Sequence, residues 1–137
     1  MECFFAGVDY LVHAGDMIGA EVYEYLCRWN LLAVRGNMDD SYLSCLLPRK
    51  RIETIGGKRI GIVHGSGGWY GIERLVLAEF TDVDLVIFGH SHVPLYRKEG
   101  QTEVFNPGAW RRPRVPQRTV GIIEIEGQIA CRHIPVP

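Results

Sequence analysis

Short apolar runs, separated by glycine-containing turns, dominate the first two-thirds of the chain. Four of these runs have the length of a buried strand: residues 8–13, 31–34, 58–63 and 85–88. Between them, residues 18–29 and 72–80 carry apolar side chains at helical spacing, with charged residues on the other faces. This alternation of strand and helix predicts a parallel sheet.

The last third of the chain reads as strands joined by tight turns. Residues 95–98 and 103–105 flank a Glu99-Gly100 turn, and residues 119–126 and 128–134 meet at Gly127. An earlier hairpin is predicted where residues 51–55 and 58–63 alternate around Gly56-Gly57. Together these segments predict an α/β fold in which two sheets form a sandwich covered by helices.

The four buried runs end in the same way, with a glycine beside a side chain that can bind a metal. Because parallel strands end at one edge of a sheet, these side chains are expected to converge there. We predict the following ligands: Asp16, Asn37, His64, His90 and His92. Gly89 is expected to let the chain leave its strand in a conformation that other residues resist.

Each of these residues also has an ordinary reading when it is taken alone. Asp16 could cap a helix, Asn37 could serve a turn, and His64 could be a core histidine bonded to the backbone.

Carboxylate, amide and imidazole ligands without thiolate suit manganese, iron, zinc or nickel. A carboxylate can bridge two such ions, and two-metal sites are typical of enzymes that hydrolyse phosphate esters.

Composition and charge narrow the class of protein. The 137 residues are 47% hydrophobic and 23% charged, with a net charge of −1. Such a chain is globular, and neither nucleic acid nor a membrane surface is indicated as a partner. The cysteines lack Cys-x-x-Cys spacing, so we expect buried, reduced thiols and a cytoplasmic setting. We expect one domain over residues 1–137.

The motifs, taken in order, resemble the calcineurin-like metallophosphoesterase superfamily, and most of all its small bacterial and archaeal phosphodiesterases. The matching segments are Gly15-Asp16, Gly36-Asn37-Met38-Asp39, His64-Gly65, Gly89-His90-Ser91-His92 and Asn106-Pro107-Gly108. The resemblance implies a four-layer α/β/β/α sandwich. It also implies hydrolysis of small phosphodiesters by in-line attack of a metal-bound hydroxide at a dinuclear site.

The resemblance further implies roles for single residues. Asp16 would bridge two divalent ions, with manganese expected first and nickel, iron or zinc as alternatives. Asn37, His64 and His90 would complete one site, and His92 would belong to the other. The last matching segment would turn the chain near the active-site face. Asp39 would orient the site from behind, although as the first of two adjacent aspartates it could also be a helix cap.

The chain departs from the family pattern in three places. The family's first motif, Asp-x-His after an N-terminal strand, is absent from the residues before Asp16. We therefore expect that the N-terminal strand and first metal motif are missing from this chain. Met38 stands where many relatives carry a histidine that can protonate the leaving group, and Ser66 stands where many carry a second histidine.

Weaker features leave alternatives open. A non-catalytic scaffold on the same fold, like the small scaffold subunit of retromer, is the rival function. Trp69 and Tyr70 could stack on a leaving group or pack in the core. The arginines at 111, 112, 114 and 118 could steer a phosphate or form a solvated loop. The resemblance allows a homo-oligomer, because relatives often self-associate, although nothing in the sequence fixes an interface.

Overall fold

The computed structural model of the chain describes residues 2–68, 70–111 and 117–137. After a 3₁₀ turn at Glu2–Phe4, twelve helices and strands follow in this order: β1 Leu11–His13, α1 Ala20–Leu26, β2 Leu31–Ala33, α2 Ser41–Leu46, β3 Lys50–Ile55, β4 Lys58–Val63, α3 Ile72–Leu77, β5 Leu85–Phe88, β6 Leu95–Glu99, β7 Thr102–Asn106, β8 Thr119–Glu126 and β9 Gln128–Pro135. Trp69, Arg112 and Arg114, which the sequence singled out, lie outside the described residues.

The central sheet has five strands in the order β3-β4-β5-β7-β6. Its middle strands β4, β5 and β7 are parallel, and hairpins add antiparallel strands β3 and β6 at the two edges. Strand β5 lies in the middle of this sheet, and all four of its side chains are buried. Both faces of a central strand are covered, which explains why every residue of β5 is apolar.

Two separate strand pairs face the central sheet. Strands β1 and β2 are parallel, whereas β8 and β9 form an antiparallel hairpin. The prediction that all four apolar runs share one parallel sheet is therefore wrong. They belong to two facing sheets, β1 and β2 in one and β4 and β5 in the other, because the chain passes from the first sheet to the central sheet between β2 and β3.

Three apolar clusters hold four layers together. The first cluster fills the space between the sheets and includes Leu32, Ile62 and Ile87. The second joins α3 to the outer face of the central sheet through Ile72 and Val76. The third packs α1 and α2 against the outside of β1 and β2; its buried members are Leu11, Met17, Leu26, Ala33, Leu43 and Leu47. The predicted α/β/β/α sandwich is confirmed.

Several side chains lie elsewhere than the sequence suggested. Leu75 is one of the apolar residues at helical spacing within 72–80 but is 55% exposed, because a six-residue helix buries only one narrow stripe. His133 is half-buried, and its ring stacks on Phe105 with the centroids 4.8 Å apart. Tyr70 is 97% exposed, so it is not a core residue.

The expectation of buried thiols is wrong for three of the four cysteines. Cys3, Cys27 and Cys45 are exposed, and Cys131 is half-buried; all four are free thiols. Burial raises the pKa of the Cys131 thiol to about 12, so this thiol stays protonated at neutral pH. Thiol burial therefore gives no support to a particular compartment. No helix in the described parts of the chain is long and apolar enough to cross a membrane.

Candidate metal centre

The ends of strands from both sheets meet at one edge of the sandwich. The loop after β1 carries Asp16, and the loop after β2 carries Asn37. From the central sheet, His64 follows β4 and His90 follows β5. Because the two sheets face each other, these four side chains approach from opposite walls. The predicted convergence is thus observed for four of the five residues, although it arises between two sheets.

Each of the four side chains has a polar atom within 3.3 Å of a polar atom of at least one other. His64 Nε2 lies 3.2 Å from Asp16 Oδ2 and 2.9 Å from Asn37 Oδ1. His90 Nδ1 lies 3.2 Å from Asn37 Oδ1 and 3.3 Å from His64 Nε2. Asp16 therefore does not cap α1, whose N-cap residue is Gly19. His64 is 5% exposed and does bond the backbone, but only through one of its two ring nitrogens.

Backbone carbonyls fix the tautomers of both histidines. His64 Nδ1 lies 2.7 Å from the oxygen of Ala14, and His90 Nε2 lies 3.0 Å from the oxygen of Gly67. Since a carbonyl oxygen only accepts, both of these nitrogens carry the hydrogen. In the neutral imidazoles, His64 Nε2 and His90 Nδ1 are then bare acceptors that point at each other. Such an outer hydrogen bond to a ring N–H is the usual arrangement for histidines that bind metals.

The donor set fits one divalent ion. Among the described residues, no three His, Cys, Asp or Glu side chains form a metal-binding group by themselves. The amide oxygen of Asn37, which lies next to both histidines, is a further possible donor. Two ligand atoms that each lie 2.1 Å from an ion, at tetrahedral or octahedral angles, are about 3.0–3.4 Å apart. The four measured separations, from 2.9 to 3.3 Å, fall close to that interval.

The electrostatics of the cluster favour a positive charge at its centre. Burial alone would lower the pKa of His64, but in its protonated form the imidazole donates from Nε2 to Asp16, and this hydrogen bond and the carboxylate's charge raise the pKa overall. Burial would likewise raise the pKa of Asp16, but the hydrogen bonds from protonated His64 and from the backbone N–H of Met38 lower it overall. Asp16 thus stays ionised. A proton or a metal cation can supply the positive charge that this carboxylate stabilises.

His92 also follows β5, two residues after His90. Hydrogen bonds from His64 and Met38 are the main causes that lower the pKa of Asp16, and the electrostatic effect of His92 is the smallest. The prediction that His92 serves a different ion from His90 stays a prediction. The backbone is informative here, because φ is positive at Asp16, His90 and His92. Non-glycine residues in this region are uncommon, and they cluster at functional sites.

Glycines let the two walls of the cluster approach each other. A Cβ atom added to Gly36 would overlap the carboxylate of Asp16. At Gly89, a Cβ atom would lie 3.0 Å from the oxygen of Ala14. Gly89 therefore permits close packing, and the unusual backbone conformation expected of it falls instead on His90, where φ is 63°.

Asp39 holds the Asp16 loop in place. Its carboxylate accepts hydrogen bonds from the backbone N–H groups of Asp16 (3.1 Å), Met17 (2.7 Å), Ile18 (3.1 Å) and Gly36 (2.7 Å). The alternative reading, a helix cap, applies to its neighbour: Asp40 caps α2 and accepts from the N–H of Leu43 at 2.9 Å. The contacts of Asp39 are those of a residue that orients the site from behind.

Asn106 is a positioning residue whose function the sequence alone did not assign. It is fully buried, and its Nδ2 donates to the oxygen of Gly89 at 2.9 Å and to Ser91 Oγ at 3.1 Å. Its Oδ1 accepts from the N–H of Gly108 at 2.9 Å. One amide thus joins the end of β7 to the loop that carries His90. A polar residue directly after a buried strand is the available sequence signal, but its partners follow only from the fold.

Replacement of Asn106 tests this positioning function. Asn106→Leu removes both donors to the His90 loop, so we expect Mn²⁺ affinity to fall about tenfold, as is typical when outer-shell partners are lost. Titration calorimetry measures the affinity. Thr102→Val is the matched control, because it removes one hydrogen bond, to the oxygen of Val83, from the other end of β7. If both variants bind Mn²⁺ like the wild type, Asn106 does not position the metal centre.

The fold and the cluster together define a class of protein. A four-layer α/β/β/α sandwich with acidic, amide and imidazole side chains at one edge is the framework of a metal-dependent phosphoesterase. The profile of the calcineurin-like phosphoesterase superfamily domain matches residues 2–128, and the chain belongs to this family. Membership implies that divalent metal ions are its cofactors.

Relatives in sequence and structure agree with this assignment. A probable metallophosphoesterase of Methanocaldococcus jannaschii is 33% identical over 136 residues, which span 96% of this chain and 69% of the relative. An archaeal phosphodiesterase of known structure superposes with a TM-score of 0.78 at 22% identity, covering 97% of this chain and 87% of that one. The structure of Vps29 from Entamoeba histolytica in complex with Zn²⁺ superposes with a TM-score of 0.74 at 23% identity. The match covers 98% of this chain and 89% of that one.

Proposed function

We propose that this chain is a metal-dependent phosphodiesterase that hydrolyses small phosphodiesters at a dinuclear site. The observation that carries the proposal is the set of four oxygen and nitrogen acceptors, with separations of 2.9–3.3 Å, that lack hydrogens of their own when the imidazoles are neutral. Similarity in fold to an archaeal phosphodiesterase supports the choice of diester over monoester.

The chain's own residues have distinct tasks in this proposal. Asn37, His64 and His90 would hold one ion, His92 would serve the other, and Asp16 would bridge the two. When bound, the ions supply Lewis-acid stabilisation of the phosphoryl oxygens and lower the pKa of the attacking water. Asp39 holds the loop that carries the Asp16 carboxylate in place by accepting four backbone hydrogen bonds. Met38 cannot donate a proton, so the leaving group must be protonated by another group or by solvent.

We propose manganese as the metal, with nickel, iron or zinc as alternatives. Mixed oxygen and imidazole ligands without thiolate favour these ions. Zinc has a specific precedent in the fold, since the Vps29 structure from Entamoeba histolytica contains Zn²⁺. Asp16, Asn37, His64 and His90 offer two oxygens and two nitrogens, which all four metals accept.

A hydrolysis assay tests the function. With Mn²⁺ added, we expect turnover of bis(4-nitrophenyl) phosphate to exceed that of 4-nitrophenyl phosphate at least about tenfold, and EDTA should abolish it. Preference for the monoester would contradict the phosphodiesterase assignment. Metal binding without turnover of either ester would instead favour the rival function, a non-catalytic scaffold on the same fold. The structural similarity to Vps29 is the observation that favours this rival.

A further inference from the structure

A cavity of about 350 Å³ adjoins the metal centre. Asn37 and His64 form part of its wall, so it opens onto the cluster described above. Arg35, Arg49 and Glu79 form its charged part, and Leu75 contributes an apolar surface. The volume is within the range of small-molecule sites. The exposure of Leu75, unexpected from its helical pattern, leaves this side chain available to a bound carbon chain.

The charges in the cavity wall are unevenly paired. Arg49 donates two hydrogen bonds to Glu79, at 3.0 and 2.7 Å, and Lys50 contacts the same carboxylate. The hydrogen bonds from Arg49 hold the pKa of Glu79 at about 2, so Glu79 is ionised at neutral pH and is fully engaged by cations. The guanidinium of Arg49 is therefore engaged by Glu79 and is not available to bind an anionic ligand.

Arg35 is the cation that remains. Its Nη1 donates to the oxygen of Ser44 at 2.8 Å, and no carboxylate of the described residues forms an ion pair with it. The residue is exposed and lies two positions before Asn37 in the same loop. A guanidinium can form paired hydrogen bonds to carboxylate or phosphate, and this one has N–H groups left to do so.

We propose that the cavity binds the alcohol portion of the substrate that is not displaced, and that Arg35 recognises an additional anionic group on this alcohol. The substrate class is then a phosphodiester in which one alcohol carries a carboxylate or a further phosphate on a short carbon chain. The inference rests on the proposed function, because it places the scissile phosphate at the adjacent metal centre. Leu75 contacts the carbon chain, and Arg35 contacts its anionic end.

A matched pair of substrates tests the proposal. The 4-nitrophenyl phosphodiester of 3-hydroxypropionate is compared with the same compound as its methyl ester, which lacks the carboxylate charge. We expect wild-type protein with Mn²⁺ to prefer the carboxylate about fivefold in kcat/KM, the upper range for an exposed ion pair. A third compound, in which phosphate replaces the carboxylate, shows which of the two anions is preferred.

Two substitutions in the wall should shift this preference in opposite directions. Arg35→Gln removes the free cation and should bring the ratio of the two kcat/KM values close to one. Glu79→Gln removes a negative charge and releases Arg49, so the ratio should rise. Lys98→Gln is the control, since this exposed lysine lies on edge strand β6 and does not line the cavity. Equal ratios in wild type, Arg35→Gln and Glu79→Gln would overturn the proposal.

Binding without turnover separates this inference from the proposed function. Titration calorimetry of both esters against metal-free protein in EDTA should show the same preference for the carboxylate, and Arg35→Gln should remove it. If no ester is hydrolysed with Mn²⁺ but this preference in affinity persists, the phosphodiesterase assignment fails and the anion-binding cavity stands. If the metal-free protein binds both esters equally, or neither, and the kcat/KM values are also equal, the cavity does not have this function.

Discussion

Asp16→Asn is expected to lower kcat/KM for bis(4-nitrophenyl) phosphate by about 1,000-fold, and Asp16→Ala should remove activity almost completely. The carboxylate contacts His64 through Oδ2 and the N–H of Met38 through Oδ1, so it lies where it can hold the cations and brace the Asn37 loop. Loss of several kcal/mol of transition-state stabilisation corresponds to a rate factor of this size.

The control for this substitution is Asp9→Asn. Asp9 is an exposed carboxylate seven residues before Asp16, so its neutralisation changes the net charge equally and should alter kcat/KM less than twofold. Circular dichroism verifies that both variants fold, and calorimetry with Mn²⁺ verifies that only Asp16→Asn loses metal affinity. If the two variants lose activity equally, the site is elsewhere.

Asp39→Ala should have the largest effect on stability of any single change at this edge of the sandwich. It leaves four backbone N–H groups without their acceptor, in two loops that must lie side by side. Three of these hydrogen bonds are partly buried, and the one from Ile18 is exposed. Since each partly buried group left without a partner costs about 1 kcal/mol, we expect the free energy of unfolding to fall by about 3 kcal/mol. Urea denaturation followed by circular dichroism measures it.

The adjacent aspartate supplies a matched comparison. Asp40→Ala removes a helix N-cap, so we expect the free energy of unfolding to fall by about 1 kcal/mol, with Mn²⁺ affinity unchanged. Asp39→Ala should weaken Mn²⁺ binding as well, because the loop that carries Asp16 depends on it. Equal losses of stability, with no change in metal affinity for either variant, would contradict the function assigned to Asp39.

The local structure could be predicted from the sequence because each segment carries its own periodicity. The hairpin around Gly56-Gly57 and the hairpin at Gly127 both occur with the predicted strands. The distribution of strands between two sheets could not be predicted. An apolar run such as β5 specifies burial on both faces but does not say which elements cover them. This depends on where the chain changes sheet, which it does between β2 and β3.

The candidate site shows the same division. Metal-competent side chains after glycine-marked strand ends were visible in the sequence, and four of the five, Asp16, Asn37, His64 and His90, do meet. Which of Asp39 and Asp40 caps the helix could not be predicted from the sequence, because either could do so. Only the position of the Asp16 loop, which Asp39 contacts, distinguishes them. The engagement of Asn106 with the His90 loop depends on two segments 17 residues apart, and no local pattern encodes it.

The most direct test of the metal centre is isothermal titration calorimetry, in which Mn²⁺ is added to metal-free protein. The wild type is compared with Asn37→Leu and His64→Ala. Asn37 and His64 supply two of the converging acceptors, and their atoms lie 2.9 Å apart. We predict that the wild type binds at least one Mn²⁺ per chain and that each substitution abolishes or strongly weakens this binding. Binding that is absent in the wild type, or unchanged in both variants, would contradict the account.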